Sequence, residues 1–423
     1  MNCQVRGDPR QQGIRSLKWG VSVGLLVAVT GSYWLVQAAE DKKFRELKAD
    51  PAVVEFAKNI DGRDISLRPI TVLKPVAPCK QFDNCYSPEK VKLGAMLFFD
   101  TRLSGDASTA CVKCHHPTMG WGESGEISVG YPGTSHFRNS HSAMNTGRLA
   151  KYFWEGRTLS LEAQAGAAAF GGSAGNVQPD MAQARLMQVP EYRQMFQEIF
   201  GGPPHWENQS RAIAAFQRHA LSSEPAQVPF ERYLMGDDKA ISEQAKKGMQ
   251  LFAGKARCIM CHNGEVFTDE DHHSTALPRP ESFGTDPLRQ IEVRFRARSN
   301  GVSNYAAVDD DLGAFLNEHR KKDVGRNRTQ PLLEIKYTAP YMHNGTLFTL
   351  EEVVDFYNKG GGEDRFGTKS PLMKPLNLTE QEQKDLVAFL ETLSSDEGKL
   401  PGMEFANPKL PPYGNTSTIT GIN

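Results

Sequence analysis

The sequence predicts a mainly α-helical fold of two similar units packed against each other, with few or no strands. Three observations carry this reading. Apolar residues recur at helical spacing behind clear start signals, two such helices each lead into a Cys-x-x-Cys-His motif, and no strand-rich region competes with them. At 423 residues the chain also exceeds the usual single-domain size.

The elements follow in order. Residues 40–86, with scattered Pro51, Pro69, Pro75 and Pro78, read as an extension leading into the first unit rather than as a core of their own. Ser87-Pro88 supplies an N-cap and a first-turn proline ahead of Val91, Leu93, Leu97 and Phe98, which starts a helix. The first motif, Cys111, Cys114 and His115, comes after it. Helical patterns then span Asp180 to Phe200 and Gln209 to Leu221, the latter with Ile213, Phe216 and Ala220 on one face. A boundary is expected between Glu224 and Pro229, dividing a first unit (87–228) from a second (229–400). Ser242 caps a helix holding Ala245, Met249 and Phe252, and the second motif, Cys258, Cys261 and His262, follows. Lys92-Leu-Gly-Ala-Met-Leu-Phe98 lines up with Lys246-Lys-Gly-Met-Gln-Leu-Phe252, the mark of a duplicated unit. From His272 to Thr329 the chain is rich in Pro, Gly, Arg and Asp and reads as irregular. Thr379 with Glu382 makes a capping box ahead of Leu386, Val387, Phe389, Leu390 and Leu393, a terminal helix expected on the second unit. The tail, 401–423, reads as loosely ordered.

Forty-nine Lys and Arg against 50 Asp and Glu leave the formal charge near zero, so nothing calls for a polyanionic partner such as nucleic acid. The uncharged run Trp19 to Val36 follows Arg6, Arg10, Arg15 and Lys18. It reads as an export signal, within residues 1–39 and cleavable after Ala38, or as an uncleaved membrane anchor. Either way the body of the protein is expected outside the cytoplasmic membrane, in the periplasm. Of seven cysteines, Cys3 precedes the apolar run and four belong to the motifs. Cys79 and Cys85 are left as a close pair, and an oxidising compartment favours a disulfide over a redox switch.

In Cys-x-x-Cys-His the two thiols bond to the vinyl groups of a haem and the adjoining histidine reaches the iron. Two copies in an exported chain predict two covalent haem c groups, with His115 and His262 as proximal ligands and each unit a cytochrome c-like haem domain. A zinc site or redox dithiol is the bland alternative, weakened by the paired histidines. His116 reads as a neighbour rather than a ligand.

From about Lys92 to Leu393 the chain resembles the bacterial dihaem cytochrome c peroxidase and MauG family. The segments that carry the resemblance are Leu-Gly-Ala-Met-Leu-Phe-Phe-Asp100, Arg138-Asn139, Phe153-Trp-Glu-Gly-Arg157, Ser160-Leu-Glu-Ala-Gln164, and Thr338-Ala-Pro-Tyr-Met-His-Asn-Gly345 leading to Tyr357. The resemblance implies an enzyme: a peroxidatic N-terminal haem with Gln164 nearby, a six-coordinate C-terminal haem, Trp154 between them, and an inter-haem Ca2+ held by Asn139, Thr338 and Pro340. Tyr357 stands where simple peroxide-detoxifying members usually place methionine and MauG-type members place tyrosine, a hard donor that favours higher iron oxidation states. Ordinary core or turn roles for Trp154, Tyr357 and the calcium trio are the alternatives.

Two departures qualify the transfer. Gly130 is followed by Tyr131 where the family's activating distal histidine is expected, so that ligand is missing and the first haem is expected to be open, with His136 as the alternative ligand; Ala174 stands where a distal glutamate is expected. Gln178 and Asp180 are the replacement candidates for that acid–base group. The resulting expectation is a periplasmic dihaem peroxidase that uses hydrogen peroxide to form high-valent haem and oxidises a partner protein over long range. Alternatives are a cytochrome c peroxidase drawing electrons from a small cytochrome, and a non-catalytic dihaem electron carrier.

Overall fold

A computed structural model describes residues 44–60, 62–79 and 84–412. The run Trp19 to Val36 and Cys3 lie outside them, and no helix of the described residues is long and apolar enough to cross a membrane. Those residues form 13 α-helices with short 3-10 turns between them, and their strands are a single pair of two-residue segments. The expected mainly α fold is present.

Local signals account for most of the helices. α1 (Pro51–Phe56) is capped by Asp50, and α2 (Pro88–Phe99) by Ser87, whose Oγ accepts the Lys90 N–H at 3.1 Å. α3 (Leu161–Phe170) begins at Ser160. The pattern from Asp180 to Phe200 is broken into α4 (Pro179–Met187) and α5 (Pro190–Phe200), because Val189 precedes a proline and takes an extended conformation. α6 (Trp206–His219) and α7 (Pro229–Leu234) follow, then α8 (Glu243–Ala253) behind Ser242. α12 (Leu350–Asn358) and α13 (Glu380–Glu391) each carry a complete capping box, from Thr349 with Glu352 and from Thr379 with Glu382.

The weak internal repeat corresponds to two equivalent helix crossings. α2 packs on α6 and α8 packs on α13. Gly94 and Gly248 sit at matching places in the repeat. A Cβ on either would lie 2.8 Å from the Cβ of Phe216 or Phe389 and overlap the carbonyl of Ala212 or Asp385. Only a glycine allows backbones this close. Above each crossing aromatic edges meet: Phe98 with Phe216 at 5.4 Å, and Phe252 with Phe389 at 5.2 Å between ring centroids. Each crossing belongs to its own apolar cluster, one containing Leu93, Phe98, Trp121 and Phe216, the other Phe252, Phe267, Val354 and Phe389.

Three segments depart from the sequence reading. Residues 44–79 precede the first unit in sequence yet give Val53, Ala57, Ile70 and Leu73 to the cluster around Phe252. Backbone bonds from Arg45 to Leu234 and from Asp50 to Ala253, both 2.9 Å, hold the segment there. Its downstream end is closed by the Cys79–Cys85 disulfide. The tail is ordered as far as it is described. Met403, Phe405 and Leu410 pack on the Phe98 cluster, while the carbonyls of Pro401 and Pro411 accept from Trp121 Nε1 at 2.8 Å and Arg102 Nη2 at 2.9 Å.

The stretch from His272 to Thr329 is less irregular than expected. It holds β1 (His272–His273) paired with β2 (Asn327–Arg328), α9 (Glu281–Thr285), α10 (Pro287–Ser299) and α11 (Phe315–Glu318). Asp286 caps α10 by accepting from the Leu288 and Arg289 N–H groups at 2.9 and 3.1 Å. A small third cluster joins α9, α10 and α11 to Phe137.

Two stability predictions follow from this packing. Gly248→Ala must push the α8 and α13 backbones apart and is expected to cost roughly 1–3 kcal/mol or more, read as a lower denaturation midpoint at unchanged slope; an unchanged midpoint would contradict the close crossing. Glu231, 3% exposed, accepts the Leu73 N–H at 2.6 Å, and burial pushes its carboxyl up to about 7. The folded state therefore binds this proton more tightly than the unfolded chain, so its stabilising effect is complete below about pH 4.5 and lost as pH rises through about 7. Glu231→Gln should flatten this part of the stability–pH curve, and a slope unchanged from the wild type would refute the assignment.

Candidate active site

The two Cys-x-x-Cys-His turns have the same local geometry. Each begins with a 3-10 turn, Cys111–Lys113 and Cys258–Met260. The histidine N–H then bonds back to the first cysteine carbonyl, at 3.1 Å for His115 and 2.9 Å for His262. Each imidazole gives Nδ1 to a backbone carbonyl, His115 to Trp121 at 3.2 Å and His262 to Phe267 at 3.0 Å. That bond fixes the tautomer and leaves Nε2 as the donor atom, as a ligating histidine requires. Burial pushes both rings below the usual histidine range, which favours the neutral, ligating form. The four motif cysteines form no disulfide.

Beside the second turn lies a cavity of about 300 Å³. Cys258, Cys261 and His262 line it on one side, and Tyr357 from the last turn of α12 lines it too. Trp154, Asn139, Thr338 and Pro340 share the same cavity. The expected second-haem and calcium residues are thus brought together, although about 220 residues separate Asn139 from Tyr357. Cys111, Cys114, His115 and Gln164 lie outside its lining.

The residues present fit a haem at this place on three grounds. The thiols and imidazole have the attachment geometry, the cavity is of cofactor size, and two buried polar atoms of residues lining it, Arg257 Nε and His141 Nε2, have no hydrogen-bond partner among the described residues. Burial also pushes the Tyr357 phenol up, so a phenolate there requires a compensating positive charge. The cluster of Cys261, Asp269 and His273, with His273 Nε2 2.9 Å from Asp269, includes a sulfur that haem attachment would occupy.

Trp154 is held from every side. Its Nε1–H donates to the Asn139 carbonyl at 2.9 Å, and its own carbonyl accepts the Arg328 N–H at 2.7 Å. The His141 ring stacks on the indole with centroids 4.3 Å apart, and His343 meets it edge-on at 6.1 Å. Next to it, buried Glu155 is paired with Arg138 and, at 2.6 Å, with Arg157. Arg138 also makes bonds of 2.6 and 2.8 Å to Asp311. Burial opposes charge on Glu155, but Arg138 and Arg157 overcome it and hold the carboxyl far below its usual range.

The surroundings of the first turn differ from some expectations. Gln178 and Asp180, offered as substitutes for the missing glutamate, are exposed at the start of α4. His136 stacks on Phe137 at 5.2 Å and accepts the Arg138 N–H on Nδ1 at 3.1 Å. Burial, then Arg138, Arg296 and Arg157, push that ring down to about 3. Ala174 belongs to a turn against Gly130, and Gln164 is half-buried on α3.

Two residues escaped the sequence reading. His141 lies just past the Arg138-Asn139 landmark, and its position two residues from an expected ligand was the available signal. Glu123 is half-buried near Cys114, with Oε2 enclosed and unpartnered and its carboxyl raised by burial. No periodicity or motif singled it out.

Residues 88–239 match the family described as di-haem cytochrome c peroxidase. The cytochrome-c peroxidase IdrP1 of Pseudomonas sp. (strain SCT) is 48% identical over 332 residues, covering 78% of this chain and 86% of that protein. The methylamine utilization protein MauG of Methylorubrum extorquens is 35% identical over 331 residues, covering 78% and 83%. The crystal structure of a MauG-like protein associated with microbial copper homeostasis superposes with a TM-score of 0.66 at 29% identity, covering 79% of this chain and 97% of that one. With the two Cys-x-x-Cys-His turns already in place, this similarity makes the chain a member of the di-haem cytochrome c peroxidase family, an oxidoreductase with two haem groups.

Proposed function

We propose that the chain is an exported, periplasmic peroxidase in which hydrogen peroxide reacts on the His115 side and oxidising equivalents pass through Trp154 to a second haem closed by Tyr357. They then leave for the surface of a partner protein. The observation that carries this reading is Tyr357 in one cavity with Cys258, Cys261, His262 and Trp154. The haems supply the peroxide-binding iron and the store for oxidising equivalents; the chain supplies the rest. Cys111 and Cys114 anchor one group and Cys258 and Cys261 the other, with His115 and His262 presented through Nε2. Tyr357 offers a hard oxygen donor, and Gln164 is the polar side chain proposed beside the bound peroxide. We assign one haem to each expected unit, 87–228 and 229–400.

Asn139 supports the calcium assignment. Its Nδ2 donates to the Gly125 carbonyl at 2.9 Å, which leaves Oδ1 to serve as an oxygen ligand, and Thr338 and Pro340 line the same cavity. Its backbone carbonyl is the acceptor of the Trp154 N–H, so a cation bound here steadies the route between the haems. Stripping Ca2+ with a chelator is expected to lower peroxide turnover and to change the tryptophan emission, with both restored by Ca2+ and not by Mg2+. Chelation without either effect would remove calcium from the account.

A second reading has its own support. The more similar relatives are named cytochrome-c peroxidases, which favours a peroxide scavenger drawing electrons from a small cytochrome. Adding peroxide to the diferric protein separates the two. The proposed function predicts a lasting change in the spectrum of both haems that Tyr357→Met abolishes while both haems stay attached, together with slow turnover of reduced cytochrome c. Fast cytochrome turnover that Tyr357→Met leaves intact would establish the scavenger instead.

A further inference from the structure

The His141 ring stacks on the indole that the proposed function uses, and that function does not employ it. Its state follows from its neighbours. A guanidinium can only donate, so Arg328 Nη2, 3.2 Å from Gln330 Oε1, identifies that atom as the acceptor, and Gln330 Nε2 donates to the Arg328 carbonyl at 3.1 Å. The amide of Gln330 is thus oriented by two bonds. His141 Nδ1 lies 2.9 Å from the same Oε1 and must therefore carry its hydrogen there. Nε2 is left as a bare acceptor, buried and without a hydrogen-bond partner among the described residues, on a ring whose residue lines the cavity shared with His262. The ring lies at 28° to the indole with centroids 4.3 Å apart, while the His141 backbone carbonyl faces the His115 ring. One residue thus touches the first proximal histidine, the intervening tryptophan and the second cavity.

We infer that His141 is a positioning residue for electron transfer through Trp154: its stacked imidazole, locked as the Nδ1–H tautomer by Gln330, holds the indole and stabilises the electron-poor form it passes through. The inference rests on the reading that Trp154 carries electrons. In each passage Trp154 gives one electron toward the His115 side and takes one from the His262 side. No bond forms or breaks, and the indole proton stays on Nε1, because the Asn139 carbonyl that accepts its hydrogen bond is too weak a base to take it. An electron-rich ring face against the indole favours positive charge on it, as ring faces attract cations. A tautomer with its hydrogen on Nε2 would break the bond to Gln330, so Arg328 and Gln330 act through His141.

The test uses the full dihaem protein in its diferric form. Hydrogen peroxide, the two-electron oxidant of the proposed function, is mixed in rapidly, and the rate at which oxidising equivalents reach the His262 side is followed by the optical change of that haem; no change at that haem overturns the reading on which the inference rests. Trp154→Phe should slow it, showing that the indole is on the route. His141→Ala should slow it by roughly two- to tenfold, the span that a stacked aromatic pair's contribution covers, with haem content, optical spectra and both reduction potentials unchanged. His141→Phe, which restores a flat ring without the acceptor nitrogen, should recover most of that loss. In the Trp154→Phe background, His141→Ala should have no further effect. The inference is overturned if His141→Ala leaves the rate unchanged while Trp154→Phe slows it. It is equally overturned if His141→Ala slows both backgrounds alike or shifts a reduction potential, since a merely structural role predicts that. A Trp154→Phe protein as fast as the wild type would instead overturn the reading of Trp154 itself.

Discussion

The buried guanidinium of Arg138 is the interaction on which the site depends. It pairs with Glu155 on one side and bonds Asp311 through two nitrogens on the other, all three residues being at most 7% exposed. An ion cluster this deep adds little net stability over well-packed apolar residues, but removing one member leaves an uncompensated buried charge at a cost of about 3–5 kcal/mol. It therefore works as a constraint on register. Arg138 precedes Asn139, Glu155 follows Trp154, and Asp311 belongs to the segment between the second motif and β2. Their pairing fixes the calcium candidate against the tryptophan and draws the intervening segment over both.

The duplicated helix crossing provides the rigid frame around that cluster. Glycine at 94 and 248 lets two helix backbones touch, and the Phe98–Phe216 and Phe252–Phe389 edges fill the space beside them. Each motif begins a short distance after the end of its crossing helix, so the position of each histidine is set by a close-packed helix pair rather than by a free loop. Bound chain segments reinforce the frame from outside. Residues 44–79 lie on the Phe252 cluster and residues 401–412 on the Phe98 cluster, each reaching the unit farther from it in sequence.

Much of this was legible because it is local. The caps at Ser87, Ser242 and Thr379 act within three residues, and the Cys-x-x-Cys-His spacing is a chemical requirement, so sequence alone located them. α10 was missed because its buried positions, Arg289, Val293 and Ala297, include an arginine, while Leu288, Ile291 and Phe295 face solvent and blur the helical period. Asp286-Pro287 was a usable start signal. The packing of the tail depends on contacts some 280 residues away, such as Trp121 with Pro401, and no periodicity reports these. At the candidate site the resemblance identified Trp154 and Tyr357, whereas His141 became visible only when its ring was found on the indole. The missing glutamate at position 174 has no replacement among Gln178 and Asp180, since both face solvent.

The two sides of the molecule ask different things of their side chains. On the His262 side, Tyr357 is enclosed with a phenol that burial makes reluctant to ionise, so ionising it would take a positive charge within the cavity. On the His115 side the ring is fixed equally well by the Trp121 carbonyl, yet the position expected to hold a carboxylate carries Ala174. Between them, Trp154 is bonded through its side chain to Asn139 and through its backbone to Arg328, and the Asn139 N–H is bonded to the His343 carbonyl at 2.8 Å. The first and second halves of the chain thus share the residues around the indole. A shift of the segment around Asn139 and Trp154 against the segment around Arg328 and His343 must break those bonds.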